Sequence, residues 1–263
     1  MTSPCSASAG RHPCSNHFSG YPRKLYRLTE GYYNQPKEEH PLKNTPIKAV
    51  LWDLDGTLVN TAELHFKATV STLKKYGHPF DREIFNAAFG MSDHTILRNA
   101  APHMKHKTFE AMVMEKNELY RSLANKESLT ALPGVQHWLQ TFRNWGFRQV
   151  VVSTTFTENI ETLTQSLNLT PYFEALISTI NMHLASKPAP DGFLKAAEIL
   201  GLSAAQCMVI EDAPAGVASA KSAGMKCLAV GTSNPLENLR AADLVTPTLE
   251  DLNEEDVVKL LAG

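Results

Sequence analysis

The sequence lacks any apolar run that approaches the length of a membrane span. It also lacks a basic surplus. Lysine and arginine number 25 against 27 aspartates and glutamates, a formal net charge of -2. No electrostatic footprint for nucleic acid follows from that balance. Cysteine is scarce, at four residues. Cys5 and Cys14 lie near the N-terminus, and Cys207 and Cys227 lie in or beside apolar runs. They show neither metal-ligand spacing nor a disulfide framework. These absences lead us to expect no membrane or nucleic-acid partner and a reduced, cytoplasmic chain. What is present suits a globular protein. The chain has 263 residues, 43% of them hydrophobic and 20% charged, enough for a core without covalent staples.

Residues 1–46 differ from the rest. They are rich in Ser, Pro, Tyr, Asn and His, lack apolar periodicity and carry no acidic residue before Glu30. A secretory h-region is missing. We expect a poorly ordered extension here, with organelle targeting as the alternative.

From Ile47 onward, short β-rich runs alternate with longer helical stretches, the pattern of an α/β parallel sheet. The runs are "IKAVLWD" (47–53), "FRQVVVS" (147–153), "EALIST" (174–179), "CMVIED" (207–212) and "KCLAVG" (226–231), with "DLVT" (243–246) as an edge strand. Helices are expected over about 157–168, 190–200, 214–223 and 250–261. More than ninety residues separate the first two runs. They contain the amphipathic stretches 62–77, 92–101 and 107–123. Ordinary crossover helices are shorter than this. Residues 60–129 are therefore expected to form an inserted helical domain, with residues 47–59 and 130–263 as the α/β core. Pro133 suits the opening of the helix that runs through Trp145.

Polar groups sit where the strands end. The first run ends on Asp53, with Asp55 next; the second on Ser153, followed by Thr154. Lys187 follows the third, and the fourth ends on Glu211-Asp212. In an open parallel sheet the carboxyl ends of the strands line one edge, where ligands bind. Each cluster alone has a bland reading as a turn, a helix cap or a solvated lysine. Together they suit phosphoryl chemistry. A carboxylate can attack phosphorus, and Mg²⁺ prefers carboxylate and carbonyl oxygens. A D-x-D-G-T string arises by chance only about once in 10⁵ positions.

Residues 47 to about 250 resemble the haloacid dehalogenase superfamily, through "DLDGT" (53–57), Ser153, Lys187 and "ED" (211–212). The resemblance implies a Rossmann-like, three-layer parallel-sheet core with an inserted helical cap domain, and an aspartyl-phosphate route that depends on Mg²⁺. It implies Asp53 as nucleophile and metal ligand, and Asp55 as acid–base and metal ligand through its carbonyl. Glu211 and Asp212 complete the metal site, while Ser153, Thr154 and Lys187 hold the phosphate.

The β-phosphoglucomutase-like branch is similar at "NTAELHFKA" (60–68), "EKNELY" (115–120), "SKPAPDGF" (186–193) and "IEDAPAGV" (210–217). His65 and Lys116 stand where that mutase has hinge and cap groups, and both are candidate substrate contacts. Lys116 is expected either to meet a distal phosphate or to be an exposed helix lysine. Asp93 stands where the mutase carries an arginine that grips phosphate, with Arg98 as a partial substitute one turn on. A carboxylate there would repel a second phosphate. The expected activity is hydrolysis of a small phosphorylated metabolite, a sugar phosphate in kind, by a monomer or weak homo-oligomer. The alternatives are a β-phosphoglucomutase-type isomerase and a catalytically silent binding protein on the same fold. Hinges are expected near Leu58–Thr61 and Leu129–Pro133.

Overall fold

The computed structural model describes residue 42, residues 45–88 and residues 92–262. Residues 1–41, the bulk of the expected extension, lie outside the described residues, as do Gly90 and Met91 of the cap stretch.

Six parallel strands form one sheet. They are β1 (Ala49–Trp52), β2 (Arg148–Ser153), β3 (Ala175–Ser178), β4 (Cys207–Glu211), β5 (Lys226–Val230) and β6 (Leu244–Thr246), in spatial order β3-β2-β1-β4-β5-β6. β1 is central and pairs with β2 and β4 in parallel, Trp52 standing beside Val151 and Ile210. The order reverses on either side of β1, and this is where an open parallel sheet admits a ligand.

Both faces are covered, so the strands read as continuous apolar runs. Side chains alternate between the faces at a period of two. Val50, Trp52, Val151, Ile210 and Leu228 point to one face, against the helices Val135–Asn144, Thr157–Ser166 and Glu254–Ala262. Leu51, Val150, Val152, Val209 and Cys227 point to the other, against Asp191–Leu200 and Pro214–Ser222. These are the three expected layers. Among the described residues no helix is long and apolar enough to cross a membrane.

Four helices precede that core set, between β1 and the helix from Val135. They are α1 (Ala62–Lys75), α2 (Arg82–Ala88), α3 (Asp93–Ala100) and α4 (His106–Lys126). Leu73 of α1, Leu97 of α3, and Phe109, Met112 and Val113 of α4 make a separate apolar cluster. Phe156, from the loop after β2, enters it and ties cap to core. α2 has only seven residues and was not anticipated.

One expectation needs correcting. Pro133 does not open the next helix, which begins at Val135 behind Gly134. Gly134 has φ +79°, and a Cβ there would lie 2.3 Å from the carbonyl carbon of Leu249. The close approach of that backbone sets the helix start one residue after the glycine. Leu42 and Thr45, expected in the extension, are buried against the core. The Thr45 hydroxyl donates to the carbonyl of Leu261 in the last helix.

Candidate active site

The carboxyl edge of the sheet brings the four polar clusters together. The Asp53 amide donates to the carbonyl of Ile210 at 3.0 Å, so the first residue past β1 stays registered against β4. Lys187 reaches in from the loop after β3. Its ammonium is 2.5 Å from Asp53 Oδ1 and 2.5 Å from Glu211 Oε1. Glu211 Oε2 accepts from the amides of Asp212 and Ala213, at 2.9 and 3.0 Å. Both oxygens of Glu211 are therefore engaged. Gly216 lets this carboxylate sit against the next helix, since a Cβ there would meet Glu211 Oε1 at 1.8 Å. Gly56, at φ +97°, turns the chain beside Asp212. A Cβ on it would lie 2.1 Å from Asp212 Oδ2.

Asp53, Glu211 and Asp212 each offer an oxygen within 4.8 Å of the others'. Burial raises the pKa of Asp53 well above the usual carboxylate range; Lys187 opposes this, and Glu211, Asp212 and Asp55 add to it. Burial and then Glu211 push Asp212 up to about 7, against Ser233, Lys187 and Thr57. Burial disfavours the ammonium of Lys187, but Asp53 and Glu211 outweigh it and hold its pKa above the ordinary value. Three buried carboxylates against one ammonium leave the cluster short of positive charge. The all-oxygen donor set and that charge deficit fit a hard divalent cation such as Mg²⁺.

Asp55 faces different partners. Thr61 donates to its Oδ1 at 2.6 Å, His65 Nε2 lies 3.4 Å from the same oxygen, and the Ser153 hydroxyl lies 3.4 Å from Oδ2. Burial raises the Asp55 pKa, yet hydrogen bonds from His65 and Thr61 outweigh it and hold the carboxyl below its usual value.

A cavity of about 430 Å³ lies over this edge, between core and cap. Asp53, Asp55, Lys187 and Asp212 line it from the core; His65, Phe85, Asp93 and Ile96 line it from the cap. Thr154 and Thr155 border it, whereas Ser153 does not. The Ser153 hydroxyl reaches Asp55 Oδ2 and accepts from the Thr155 amide at 3.2 Å.

The cap carries its own charge network. Lys116 is fully buried and does not border the cavity. Its ammonium donates to Asp93 Oδ1 at 2.6 Å and to His65 Nδ1 at 2.8 Å. An ammonium has only donors, so in the neutral form of His65 Nδ1 accepts from Lys116 and the ring proton sits on Nε2, towards Asp55. Asp93 opens α3 directly after its N-cap, Ser92, where a helix end favours negative charge. Burial raises the Asp93 pKa, but Lys116 and then His65 hold it far below the usual range. The expectation of an exposed helix lysine is thus corrected: Lys116 is buried, and Asp93 and His65 hold its ammonium. Arg98 stacks 3.5 Å from the Phe109 ring centroid and donates to the Met104 carbonyl at 3.0 Å, away from the cavity.

Several site residues escaped the sequence reading. Thr61 holds Asp55. Asn234, which borders the cavity, donates to the Asp212 carbonyl at 3.1 Å. Thr232, Ser233 and Asn234 directly follow the fifth run, so the strand-end rule that singled out the others would have found them.

Residues 50–230 match the haloacid dehalogenase-like hydrolase family. That is more than half of the chain, and the protein belongs to this family. It is 34% identical over 218 residues to β-phosphoglucomutase of Bacillus subtilis, spanning 80% of this chain and 93% of that one. It is 32% identical over 188 residues to a fructose-1-phosphate phosphatase of Escherichia coli, spanning 69% and 95%. Among solved structures, a β-phosphoglucomutase from Clostridium difficile superposes with a TM-score of 0.73 at 27% identity, covering 82% of this chain and 97% of its own. These likenesses place the protein in the β-phosphoglucomutase-like branch, among enzymes of the phosphatase and phosphomutase type.

Proposed function

We propose that the protein is a Mg²⁺-dependent phosphatase that hydrolyses a small phosphorylated metabolite, a sugar phosphate in kind, through an aspartyl-phosphate intermediate. Asp53 attacks phosphorus and the ester oxygen leaves, giving an acyl phosphate on Asp53. Asp55 protonates the departing oxygen, then takes a proton from the water that attacks the acyl phosphate. Its low proton affinity in the resting site rises when the negative phosphate arrives beside it. Lys187 and the Thr154–Thr155 segment hold the phosphate oxygens. Asp53, Asp212 and the Asp55 carbonyl hold the cation, which supplies positive charge against those oxygens. Glu211 anchors Lys187 and the loop behind the site. The buried thiols Cys207 and Cys227 suit a reducing compartment, the cytoplasm in this reading.

One observation carries hydrolysis over isomerisation. The cap wall of the cavity presents Asp93, Phe85, Ile96 and a His65 already bound to Lys116. Among the described residues, no lysine or arginine of the cap borders the cavity to receive a second phosphate. A buried, unpaired phosphate is costly. The second reading, a sugar-phosphate mutase, rests on the likeness to the Bacillus subtilis enzyme.

Incubation with β-glucose 1-phosphate, Mg²⁺ and a trace of the 1,6-bisphosphate separates them. Free phosphate and glucose support the phosphatase; glucose 6-phosphate supports the mutase. D53N abolishes turnover in either case, and retained hydrolysis by D53N overturns the nucleophile assignment.

A further inference from the structure

One hydroxyl on the core side of the cavity keeps a proton to give. Thr155 borders the cavity. Its amide already donates to the Ser153 hydroxyl at 3.2 Å, and its carbonyl accepts from the Ser178 hydroxyl at 2.6 Å. The backbone of Thr155 is therefore held and its N–H is taken. Its Oγ1 accepts from Asn159 Nδ2 at 2.8 Å, and its O–H meets no acceptor among the described residues. What Thr155 offers the cavity is that hydroxyl proton.

The direction of the Asn159 contact decides this. Asn159 is fully buried in the first turn of the helix Thr157–Ser166 and does not border the cavity. Both ends of its amide are fixed from the cap helix α4. The Val113 carbonyl can only accept, so Asn117 Nδ2 faces it at 2.9 Å and Asn117 Oδ1 faces Asn159. Asn159 Nδ2 meets that oxygen at 2.6 Å. Arg121 has only donors, and its Nη1 meets Asn159 Oδ1 at 3.0 Å. The two Nδ2 protons of Asn159 thus go to Asn117 and Thr155. A carboxamide oxygen beside Thr155 would draw the hydroxyl proton inwards. An N–H group there takes a lone pair instead and leaves the proton for another partner. A phosphate oxygen, which only accepts, is the complement of that donor.

We infer that Asn159 is a positioning residue for phosphate binding: without meeting the substrate, it fixes the Thr155 hydroxyl as a donor to a phosphate oxygen, and α4 of the cap sets its orientation. This rests on the phosphatase reading above. It adds to that reading the group that polarises the phosphate contact and the cap residues, Asn117 and Arg121, on which that group depends.

Inorganic phosphate is the probe, as a competitive inhibitor of p-nitrophenyl phosphate hydrolysis by the full-length enzyme with Mg²⁺. Thr155→Val keeps the shape and removes the hydroxyl. It is expected to raise the Ki of phosphate by at least about tenfold, the worth of a hydrogen bond to a charged group. Asn159→Asp keeps the shape and the acceptor for Arg121, but its carboxylate draws the Thr155 proton to itself, so a rise of about the same size is expected. The two changes in one chain are expected to raise Ki by about as much as either alone, because both remove the same donor. An asparagine that only supports the fold would give independent losses that multiply. Multiplying losses overturn the inference, and so does a Ki within about threefold of wild type for either single variant. If Asn159→Asp does not fold, Asn159→Ala takes its place, with a rise of at least about threefold expected, and an unchanged Ki or multiplying losses overturn the inference. If the wild-type enzyme does not hydrolyse p-nitrophenyl phosphate, the phosphatase reading falls and takes this inference with it; hydrolysis with multiplying losses overturns the inference only.

Discussion

The ammonium of Lys116 lies 2.6 Å from Oδ1 of Asp93, with both side chains buried inside the cap. Such a pair gives little net stability over apolar groups of the same shape, but breaking it from one side is costly. Lys116→Met strands the Asp93 carboxylate and is expected to cost about 3–5 kcal/mol. Asp93→Asn together with Lys116→Met removes both charges and should cost clearly less than Lys116→Met alone. Urea denaturation of the wild type, both single variants and the double variant measures the coupling. Additive losses would show that the two groups do not depend on each other.

The same pair has a pH signature. The folded state holds the Asp93 carboxyl below its usual range, so it binds that proton more weakly than the unfolded chain does. The stabilising contribution is therefore complete above about pH 4, the unfolded value, and is lost as pH falls through and below it. The gap in urea midpoint between wild type and Lys116→Met should be full at neutral pH and shrink in acid. A gap that is constant down to about pH 3 would contradict the depressed pKa.

Much of the core was legible because strands in an open sheet end where their apolar runs end. Asp53 and Glu211-Asp212 stand at such ends and Lys187 in the loop after β3, and parallel topology carried them to one edge. The cap was legible only as a length of helical pattern. α2 is too short to show a period, and Gly134 rather than Pro133 sets the start of the following helix through a backbone contact with Leu249. The partner of Lys116 lies 23 residues away on another helix. Nothing in the local pattern distinguishes a lysine captured in this way from an exposed one. The reading of Asp93 as hostile to a second phosphate stood on its charge alone; that it also removes the cap's lysine from the cavity needed the tertiary arrangement.

Gly216 offers a test of the core site that touches no ionisable group. A Cβ there would sit 1.8 Å from Glu211 Oε1, the oxygen that holds Lys187. Glu211 is 1% exposed and its other oxygen is held by two backbone amides, so it has little room to yield. Gly216→Ala is expected to displace the carboxylate and with it Lys187. Misplacement near the chemistry on the scale of an ångström costs on the order of 10²-fold in rate. Turnover within about threefold of wild type would show that Glu211 does not position the lysine.

The carboxylate cluster predicts a response to cations that does not depend on turnover. Asp53, Glu211 and Asp212 crowd together with only Lys187 to offset them. Mg²⁺ added to chelator-treated protein should raise its melting temperature, because a ligand that binds only the folded state stabilises it by mass action. Asp212→Asn removes one donor and should blunt the shift, and chelator should abolish phosphatase activity in the wild type. A melting temperature indifferent to Mg²⁺, together with activity that survives chelation, would refute the assignment of Asp53 and Asp212 to a metal.

The start of the core is sharper in the structure than in the composition. Leu42 is buried in the main apolar cluster. The Thr45 amide donates to the Leu42 carbonyl at 3.0 Å, and the Ile47 amide donates to the Thr45 hydroxyl at 3.3 Å. The same hydroxyl reaches the Leu261 carbonyl, one of the terminal carbonyls that a helix leaves without an internal partner. Deletion of residues 1–41 should therefore leave stability and activity near those of the full chain. Deletion of residues 1–46 removes a buried leucine, worth about 1.5–3 kcal/mol, and a hydrogen bond worth about 1 kcal/mol. It should lower the urea midpoint while leaving kcat nearly intact, since every residue assigned to the site lies at or beyond Asp53. Equal midpoints for the two truncations would show that Leu42 and Thr45 rest on the core without supporting it.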